Sequence, residues 1–398
     1  MSEIDSSRAW LRLGIAVAAS TVGGVGMWSL AVALPAIQTE FGVGRAEVSF
    51  AYTLTMLGFA SGGIVMGRLT DRFGVARPVA LGMTMLAAGF FLAGHAERLW
   101  QFALVQGLLI GPGSAATFSP LVADISLWFR RRRGIAVALV ASGNYLAGAF
   151  WPPLLQAGIE RLGWRPTFWL VAAICALAMV PLALALRRGP PIQLPEASAA
   201  GLGGVGAKGF SHNGLMALLV LAGIACCVAM SMPQVHLVAY CVDLGYGSAR
   251  GAEMLALLLG FGIVSRIASG LISDRVGGFK TLILGSFMQA VALVLYALFD
   301  GLAALYAIAI LFGLFQGGIV PSYAIIVREY FPPAQAGARV SLVLMATVAG
   351  MALGGWLSGA LFDLTGSYLA AFAHGVAWNL LNLALAVWLM MRLRRRPA

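Results

Sequence analysis

Twelve apolar stretches, each about 20 residues long, most constrain what this chain can fold into. A helix of that length crosses the ~30 Å hydrocarbon core of a bilayer. Strands fit poorly, because open sheets leave backbone groups unpaired in lipid and barrel strands are shorter and alternating. The predicted spans, numbered 1 to 12 in chain order, are 13–36, 47–70, 78–95, 99–124, 134–158, 166–186, 213–241, 251–273, 279–299, 302–328, 337–362 and 368–391.

The composition agrees with a membrane protein. Of the 398 residues, 60% are hydrophobic and 10% are charged, whereas a soluble domain carries about 25% charged residues. Most of the surface must therefore face lipid, and the fold class is an all-α membrane protein. The first span is longer than a signal-peptide core and no A-x-A-like site follows it, so we expect it to remain in the mature protein.

The formal net charge of +11 has a topological explanation. With the N-terminus inside, 20 of the 26 Lys and Arg residues fall on the side of the termini and five fall on the other side. Arg266 is the one left over. This bias predicts a multi-pass protein of the cytoplasmic (inner) membrane with both termini cytoplasmic. A nucleic-acid partner is not needed to explain the basic surplus.

No constellation of catalytic or metal-binding residues is visible. The four cysteines, Cys175, Cys226, Cys227 and Cys241, lie in predicted spans without metal-ligand spacing. We expect them to be small buried apolar residues. The chain has no nucleophile elbow, phosphate-binding loop or paired carboxylates. The sequence predicts neither an enzyme, nor a cofactor, nor a metal site.

One motif occurs twice. "GRLTDRFG" begins at Gly67 and "GLISDRVG" begins at Gly270, so the two copies are 203 residues apart. Each lies at the end of the second span of its half. The repeat predicts two related six-span bundles, 1–186 and 213–398. Between them, the Pro-, Gly- and Ala-rich segment 187–212 is predicted to be a cytoplasmic linker.

The duplicated six-span halves, the basic central loop and the G-x-x-x-D-R-x-G motif resemble the major facilitator superfamily of secondary transporters. The resemblance implies two pseudo-symmetric six-helix bundles and transport by alternating access. It also implies that the motif is a conformational latch, which holds helix ends together in the outward-facing state and does not touch substrate. The latch residues implied are Gly67, Asp71, Arg72, Asp124, Gly270, Asp274 and Arg275.

A narrower resemblance concerns "WFRRRRGIAVALVASGNYLAG" (128–148), "GGWLSGALFDLTGSYLAAF" (354–372) and "SRIASGLISDR" in span 8. These stretches are similar to the monocarboxylate and oxalate/formate branch of the superfamily. The resemblance implies that Arg266 binds substrate. Animal-type carriers of that branch also have an aspartate one turn before this arginine, where the present chain has Gly262, and a first-span lysine that is absent here. Their proton-coupling scheme therefore cannot be transferred.

The residues around Arg266 support the same role. Arg266 lies eight residues, roughly 12 Å, before Asp274 at the span's end. It either reaches back toward that edge or faces a polar cavity. Small residues at helical spacing, among them Ser265 and Ser269, indicate a face that packs against helices or lines water. A guanidinium group matches a carboxylate, and no Asp or Glu lies near mid-span. The sequence therefore favours an anion as substrate.

Other spans offer polar side chains that either contact substrate or bond neighbouring helices. Gln234 and His236 follow Pro233 and point about 200° apart on a regular helix, so we expect only one of them to face a cavity. His236 is also a candidate proton carrier. One stripe of span 4 is predicted to carry Gln106, Gly113, Thr117 and Asp124, and one face of span 10 is predicted to carry Gln316 and Tyr323. The remaining candidate ligands are Asn144, Tyr145 and Trp28.

Together these patterns predict a monomeric transporter in the lipid bilayer. It would move a small organic anion, a monocarboxylate, by proton symport or anion exchange, with Arg266 holding the carboxylate. One alternative is an exporter of hydrophobic or zwitterionic compounds in which Arg266 is structural. Another is a membrane sensor that transports nothing and signals through its loops.

Overall fold

The described part of the chain is helical throughout. A computed structural model describes residues 4–189 and 211–394. Within these ranges, twelve helical segments are long and apolar enough to cross a membrane, and all twelve predicted spans are confirmed. In chain order the spans are Ser7–Phe41, Arg45–Phe73, Ala76–Gly94, Leu99–Ile125, Arg133–Leu162, Trp164–Ala185, His212–Asp243, Ser248–Val276, Gly278–Leu298, Leu302–Tyr330, Gly337–Thr365 and Tyr368–Leu393.

Four of the spans are interrupted. Span 1 consists of Ser7–Gly23 and Val25–Phe41, and span 5 consists of Arg133–Ala141 and Gly143–Leu162. Span 10 breaks at Gly317 and Gly318, between the helices Leu302–Gln316 and Ile319–Tyr330. Span 4 has the most interruptions: its pieces are Leu99–Val105, a π-helical turn at Gln106–Ile110, Gly111–Ala116 and Ser119–Ile125.

The backbone carries the signature of duplication well beyond the repeated motif. Among the described glycines with positive φ, six form three pairs, and the members of each pair are 203 residues apart. Each of these glycines ends a helix or lies in a turn between spans, in a left-handed or otherwise glycine-favouring conformation. The pairs are Gly42 with Gly245, Gly74 with Gly277, and Gly163 with Gly366.

Glycines allow some helices to approach closely. A Cβ added to Gly354 in span 11 would lie 2.6 Å from the Cα atom of Val228 in span 7, and one added to Gly350 would lie 2.9 Å from the Cα atom of Ile224. Neither distance is compatible with a real Cβ. This small-residue packing compensates for the weak hydrophobic drive between helices in lipid. It gives the glycine-rich stretch 354–372 a structural role.

By compactness the chain divides into two units. Among the described residues, the first unit contains 4–189 and Leu237–Leu259. The second unit contains the residues from 211 to His236 and those from Gly260 to 394. The bundle boundaries at 186 and 213 follow the sequence duplication and stay a prediction. Most of the predicted linker lies outside the described residues.

The four cysteines are buried, as the sequence predicts, and none forms a disulfide bond with another described residue. Cys226 and Cys227 lie in span 7, and their small side chains fit its buried surroundings.

Candidate substrate-binding residues

The small-residue face of span 8 packs against the break in span 10. A Cβ added to Gly317 would lie 3.0 Å from the Cβ atom of Ser265 and 3.1 Å from the backbone nitrogen of Arg266. A Cβ added to Gly318 would collide with the side chain of Ser269. The prediction of a helix-packing face is therefore confirmed for this part of span 8. Arg266 itself is half-buried.

Gln234 and Gln316 form a direct contact between spans 7 and 10. The Nε2 group of Gln234 donates a hydrogen bond to Oε1 of Gln316 over 2.7 Å. Both side chains are buried, with 2% and 0% of their surface exposed. Among the described residues, Oε1 of Gln234 and Nε2 of Gln316 have no hydrogen-bond partner. The pair therefore retains one buried acceptor and one buried donor group.

His236 points to a different neighbour. Its Nε2 atom lies 2.8 Å from the carbonyl oxygen of Gly355 in span 11, and the side chain is fully buried. The helix His212–Asp243 continues through Pro233 without a break. Gln234 and His236 therefore diverge, as the helical period predicts, one toward span 10 and the other toward span 11.

Tyr323 belongs to a polar network that joins spans 9, 10 and 12. Its hydroxyl donates to Oδ1 of Asn382 over 2.6 Å, and Nδ2 of Asn382 donates to Oγ of Ser286 over 2.7 Å. Nδ2 of Asn379 donates to the carbonyl oxygen of Ser286. Tyr323 also lies against the Cys226 thiol of span 7, the helix that carries Gln234. The expectation that Gln316 and Tyr323 share a face stays a prediction. Tyr323 here has the role of a helix-to-helix hydrogen bond.

In the first unit, Trp28, Asn144 and Tyr145 lie where spans 1 and 5 meet. Nε1 of Trp28 donates to the carbonyl oxygen of Asn144 over 3.1 Å. Oδ1 of Asn144 would lie 3.3 Å from a Cβ on Gly24, the residue between the two helices of span 1. Trp28 and Tyr145 are buried, and Asn144 is half-buried. The structure brings these three candidates together at the interrupted part of both spans.

The stripe predicted along span 4 is not continuous. Oε1 of Gln106 accepts a hydrogen bond from Thr55 in span 2 over 3.1 Å, whereas Thr117 lies against Gly23 in span 1. Gly113 lies against Leu86 in span 3. The physical reason is local: the π-helical turn and the break at Thr117 each shift the helical phase. A period of 3.6 residues cannot be extended through them.

Asp124 is bound by an arginine of span 1. Arg12 donates from Nε to Oδ2 over 2.7 Å and from Nη2 to Oδ1 over 2.9 Å. Nη2 also lies 3.3 Å from the carbonyl oxygen of Leu186, and the guanidinium group lies 4.6 Å from the ring centre of Trp128. Asp124 is thus part of a buried bidentate ion pair with span 1.

The charged residues of the two copies of the repeated motif form no ion pairs with other described residues. Asp71, Arg72, Asp274 and Arg275 are exposed, and none forms an ion pair with another described residue. A Cβ added to Gly67 or Gly270 would meet no atom within 4 Å. The latch role stays a prediction, and in this structure the Asp and Arg side chains of both copies are exposed.

Two arginines outside the predicted spans are more deeply buried than Arg266. Arg12 and Arg45 are 4% and 5% exposed. Nη2 of Arg45 pairs with Asp243 at 2.6 Å, and its Nε donates to Gln38. Only the pairing of opposite charges in separate spans could have revealed them, and one sequence does not show which charges meet.

The described ranges hold no group of three or more His, Cys, Asp or Glu side chains placed to bind a metal ion.

The features described so far define a multi-pass membrane transporter. They are twelve helices that can cross a membrane, a repeat of backbone conformation after 203 residues, and buried polar pairs at interrupted helices. The profile of the Major Facilitator Superfamily matches residues 16–307 and 280–398. The chain belongs to this superfamily. It is a transporter and not an enzyme.

The chain is similar to several monocarboxylate transporters. It is 31% identical to "Monocarboxylate transporter 13" of Bos taurus over 337 residues, which is 84% of this chain and 78% of the relative. It is 28% identical to "Monocarboxylate transporter 11" of Mus musculus over 388 residues, or 92% and 84%. It is also 24% identical to "MFS-type transporter pynF" of Aspergillus niger over 361 residues, or 90% and 82%.

Solved structures agree on the fold. The nucleoside transporter NupG superposes with a TM-score of 0.75 at 16% identity, covering 96% of this chain and 99% of NupG. A bacterial homolog of the human lysosomal transporter Spinster gives a TM-score of 0.70 at 14% identity, covering 98% and 96%. At these identities the likeness extends to the helical architecture alone.

Proposed function

We propose that this transporter moves a small monocarboxylate across the cytoplasmic membrane by alternating access, with Arg266 binding the carboxylate. The observation that carries the proposal is the position of Arg266, half-buried in the second half of span 8 and with its backbone next to the break in span 10. Interrupted helices are where transporters of this kind bind their substrates. The names of its relatives point to the same class of substrate.

Electrostatics support an anion. A permanent charge at mid-membrane costs at least about 2.5–3.5 kcal/mol on insertion scales, so it is retained where it has a function. A guanidinium group binds a carboxylate through two parallel hydrogen bonds. The buried carboxylate of Asp124 is already neutralised by Arg12, and Asp243 is paired with Arg45. Neither acid is in a position to bind a cationic substrate without first losing its arginine.

For coupling, we propose proton symport first and anion exchange second. Gly262 stands where animal-type carriers have an acid, so a proton needs another carrier. His236 is the candidate, because it is a fully buried imidazole on span 7 in contact with the Gly355 carbonyl. We further propose a monomer with both termini in the cytoplasm, since the basic residues concentrate on that side.

The proposal is tested by uptake into proteoliposomes. Purified protein is supplied with labelled monocarboxylates of two to four carbons, with and without an inward proton gradient. Arg266→Gln and Arg266→Lys are compared with Arg250→Gln, a surface arginine at the start of the same helix that pairs with Glu253. A charge-assisted hydrogen bond contributes about 1.5–3 kcal/mol, so we expect Arg266→Gln to lower kcat/KM tenfold to a hundredfold.

The control variant should transport like the wild type. Unchanged uptake in Arg266→Gln would contradict the assignment of the carboxylate site. Efflux of zwitterionic or hydrophobic compounds, without any uptake of acids by the wild type, would instead support an exporter. For the coupling, His236→Gln should remove the response to a proton gradient while leaving exchange of one acid for another.

A further inference from the structure

We propose that the Gln234–Gln316 pair recognises a hydroxyl group on the transported acid, so that the protein prefers hydroxylated monocarboxylates to their deoxy and oxo analogues. This inference rests on the proposed function. It adds a second recognition element, made of spans 7 and 10, to the carboxylate site on span 8. It concerns residues of the second unit only.

The amide pair has unsatisfied hydrogen-bonding capacity. A primary amide offers two N–H donors and one carbonyl acceptor. One hydrogen bond joins the two amides, and Oε1 of Gln234 and Nε2 of Gln316 are left without a partner among the described residues. Both atoms are buried. A buried polar group that stays unpaired costs about 1–3 kcal/mol, so the two atoms together strongly favour a partner.

This hydrogen-bonding capacity does not depend on how the two side-chain amides are oriented. If both side-chain amides were turned over, Gln316 would donate to Gln234, and the unpaired atoms would be Nε2 of Gln234 and Oε1 of Gln316. In either arrangement, the pair presents one acceptor and one donor group. A hydroxyl group donates one hydrogen bond and accepts another. It satisfies both atoms, whereas a keto oxygen satisfies only the donor and a methylene group satisfies neither.

The amide pair lies at the break in span 10. Gln316 is the last residue of the helix before the break in span 10. The next residue, Gly317, packs against Gly262 and lies against the backbone of Arg266 in span 8. Spans 7, 8 and 10 therefore meet at one level, and the backbone of Arg266 lies against the residue that follows Gln316.

Gln289 in span 9 is a third buried glutamine of the same unit. It donates to the carbonyl oxygen of Cys226 in span 7 over 3.3 Å, and its Oε1 is also without a partner among the described residues. Gln289→Met is therefore a matched control, since it removes a buried amide that does not belong to the Gln234–Gln316 pair.

The experiment measures selectivity and not uptake alone. Wild type, Gln316→Met, Gln234→Met and Gln289→Met are reconstituted, and kcat/KM is measured for lactate, propionate and pyruvate. 3-Hydroxybutyrate and butyrate form a second pair that locates the hydroxyl. Methionine approximates the length of glutamine without its hydrogen bonds. We expect the wild type to prefer lactate to propionate about tenfold or more. Either methionine substitution of the pair should bring that ratio close to one, and Gln289→Met should leave it unchanged.

Each outcome decides between the two proposals. If the wild type takes up lactate and propionate equally well, in a saturable and Arg266-dependent manner, the hydroxyl inference is overturned and the proposed function stands. If no carboxylate is taken up in a saturable manner, the proposed function fails as well. A pair substitution that lowers the melting temperature and leaves the lactate preference intact shows that the amides are structural only. If one substituted protein does not fold, the wild-type ratio and the other substitution still test the inference.

Discussion

Breaking the Arg12–Asp124 pair should produce a large and non-additive loss of stability. The two side chains are 5% and 3% exposed and form two hydrogen bonds of 2.7 and 2.9 Å. In Arg12→Leu, Asp124 stays buried without its cation. Removing one partner of a buried pair costs about 3–5 kcal/mol.

The reverse substitution should cost less. In Asp124→Leu, the guanidinium group of Arg12 keeps the Leu186 carbonyl at 3.3 Å and the Trp128 ring at 4.6 Å. We expect a loss of about 2–3 kcal/mol, since a hydrogen bond and a cation–π contact each retain part of the interaction. The double substitution to leucine leaves no buried charge and should lie within about 1 kcal/mol of the wild type.

The assay is a double-mutant cycle on the free energy of unfolding in mixed detergent micelles, followed by tryptophan fluorescence. Arg8→Leu is the control, because Arg8 lies one turn earlier on the same helix and is exposed. It should change stability by no more than about 0.5 kcal/mol. Losses of 1 kcal/mol or less in both single variants, adding up in the double variant, would show that water reaches the pair and would refute the reasoning.

Three further predictions concern other parts of the chain. Gly318→Ala should strongly destabilise the protein, because the new Cβ collides with Ser269, whereas Gly270→Ala, with no atom within 4 Å, should change the melting temperature little. Asp71→Asn should leave the melting temperature nearly unchanged, since Asp71 is exposed, yet lower uptake severalfold if the repeated motif is a latch; unchanged uptake would contradict that role. Asp5 accepts hydrogen bonds from the backbone N–H groups of Arg131 and Arg130, and these, Arg131 first, lower the pKa of Asp5 below 3.8. A lowered pKa means that the contact persists above the ordinary value and is lost only as the pH falls through the lowered one. A spin label on Arg131→Cys should therefore stay immobile at pH 3.8 and become mobile only at a lower pH. With Asp5→Ala, which removes the acceptor, it should be mobile already at pH 7.

The spans and the duplication could be read from the sequence because their causes are local. Each span is a predominantly apolar run, and lipid requires its backbone to bond within its own helix. The repeat was visible because Gly, Asp and Arg recur at one spacing, and the structure extends the same spacing to glycines such as Gly163 and Gly366. The divergence of Gln234 and His236 also followed from the helical period alone.

The phase of the polar residues in span 4 could not be read in that way. The π-helical turn at Gln106–Ile110 and the break at Thr117 interrupt the period, and nothing in the local pattern of apolar residues shows how far the phase moves. Gln106 therefore contacts Thr55 in span 2, while Thr117 lies against Gly23 in span 1.

The sequence by itself thus determined the number of spans, the family and one arginine worth testing, since hydropathy and short motifs depend on neighbours along the chain. Only the tertiary structure decided which charges are buried and which polar groups lack a partner. Arg12 looks like a loop residue until Asp124, 112 positions away, is brought against it. Pairing of this kind depends on how separate helices are rotated and placed against each other, and one helix's own residues do not specify it.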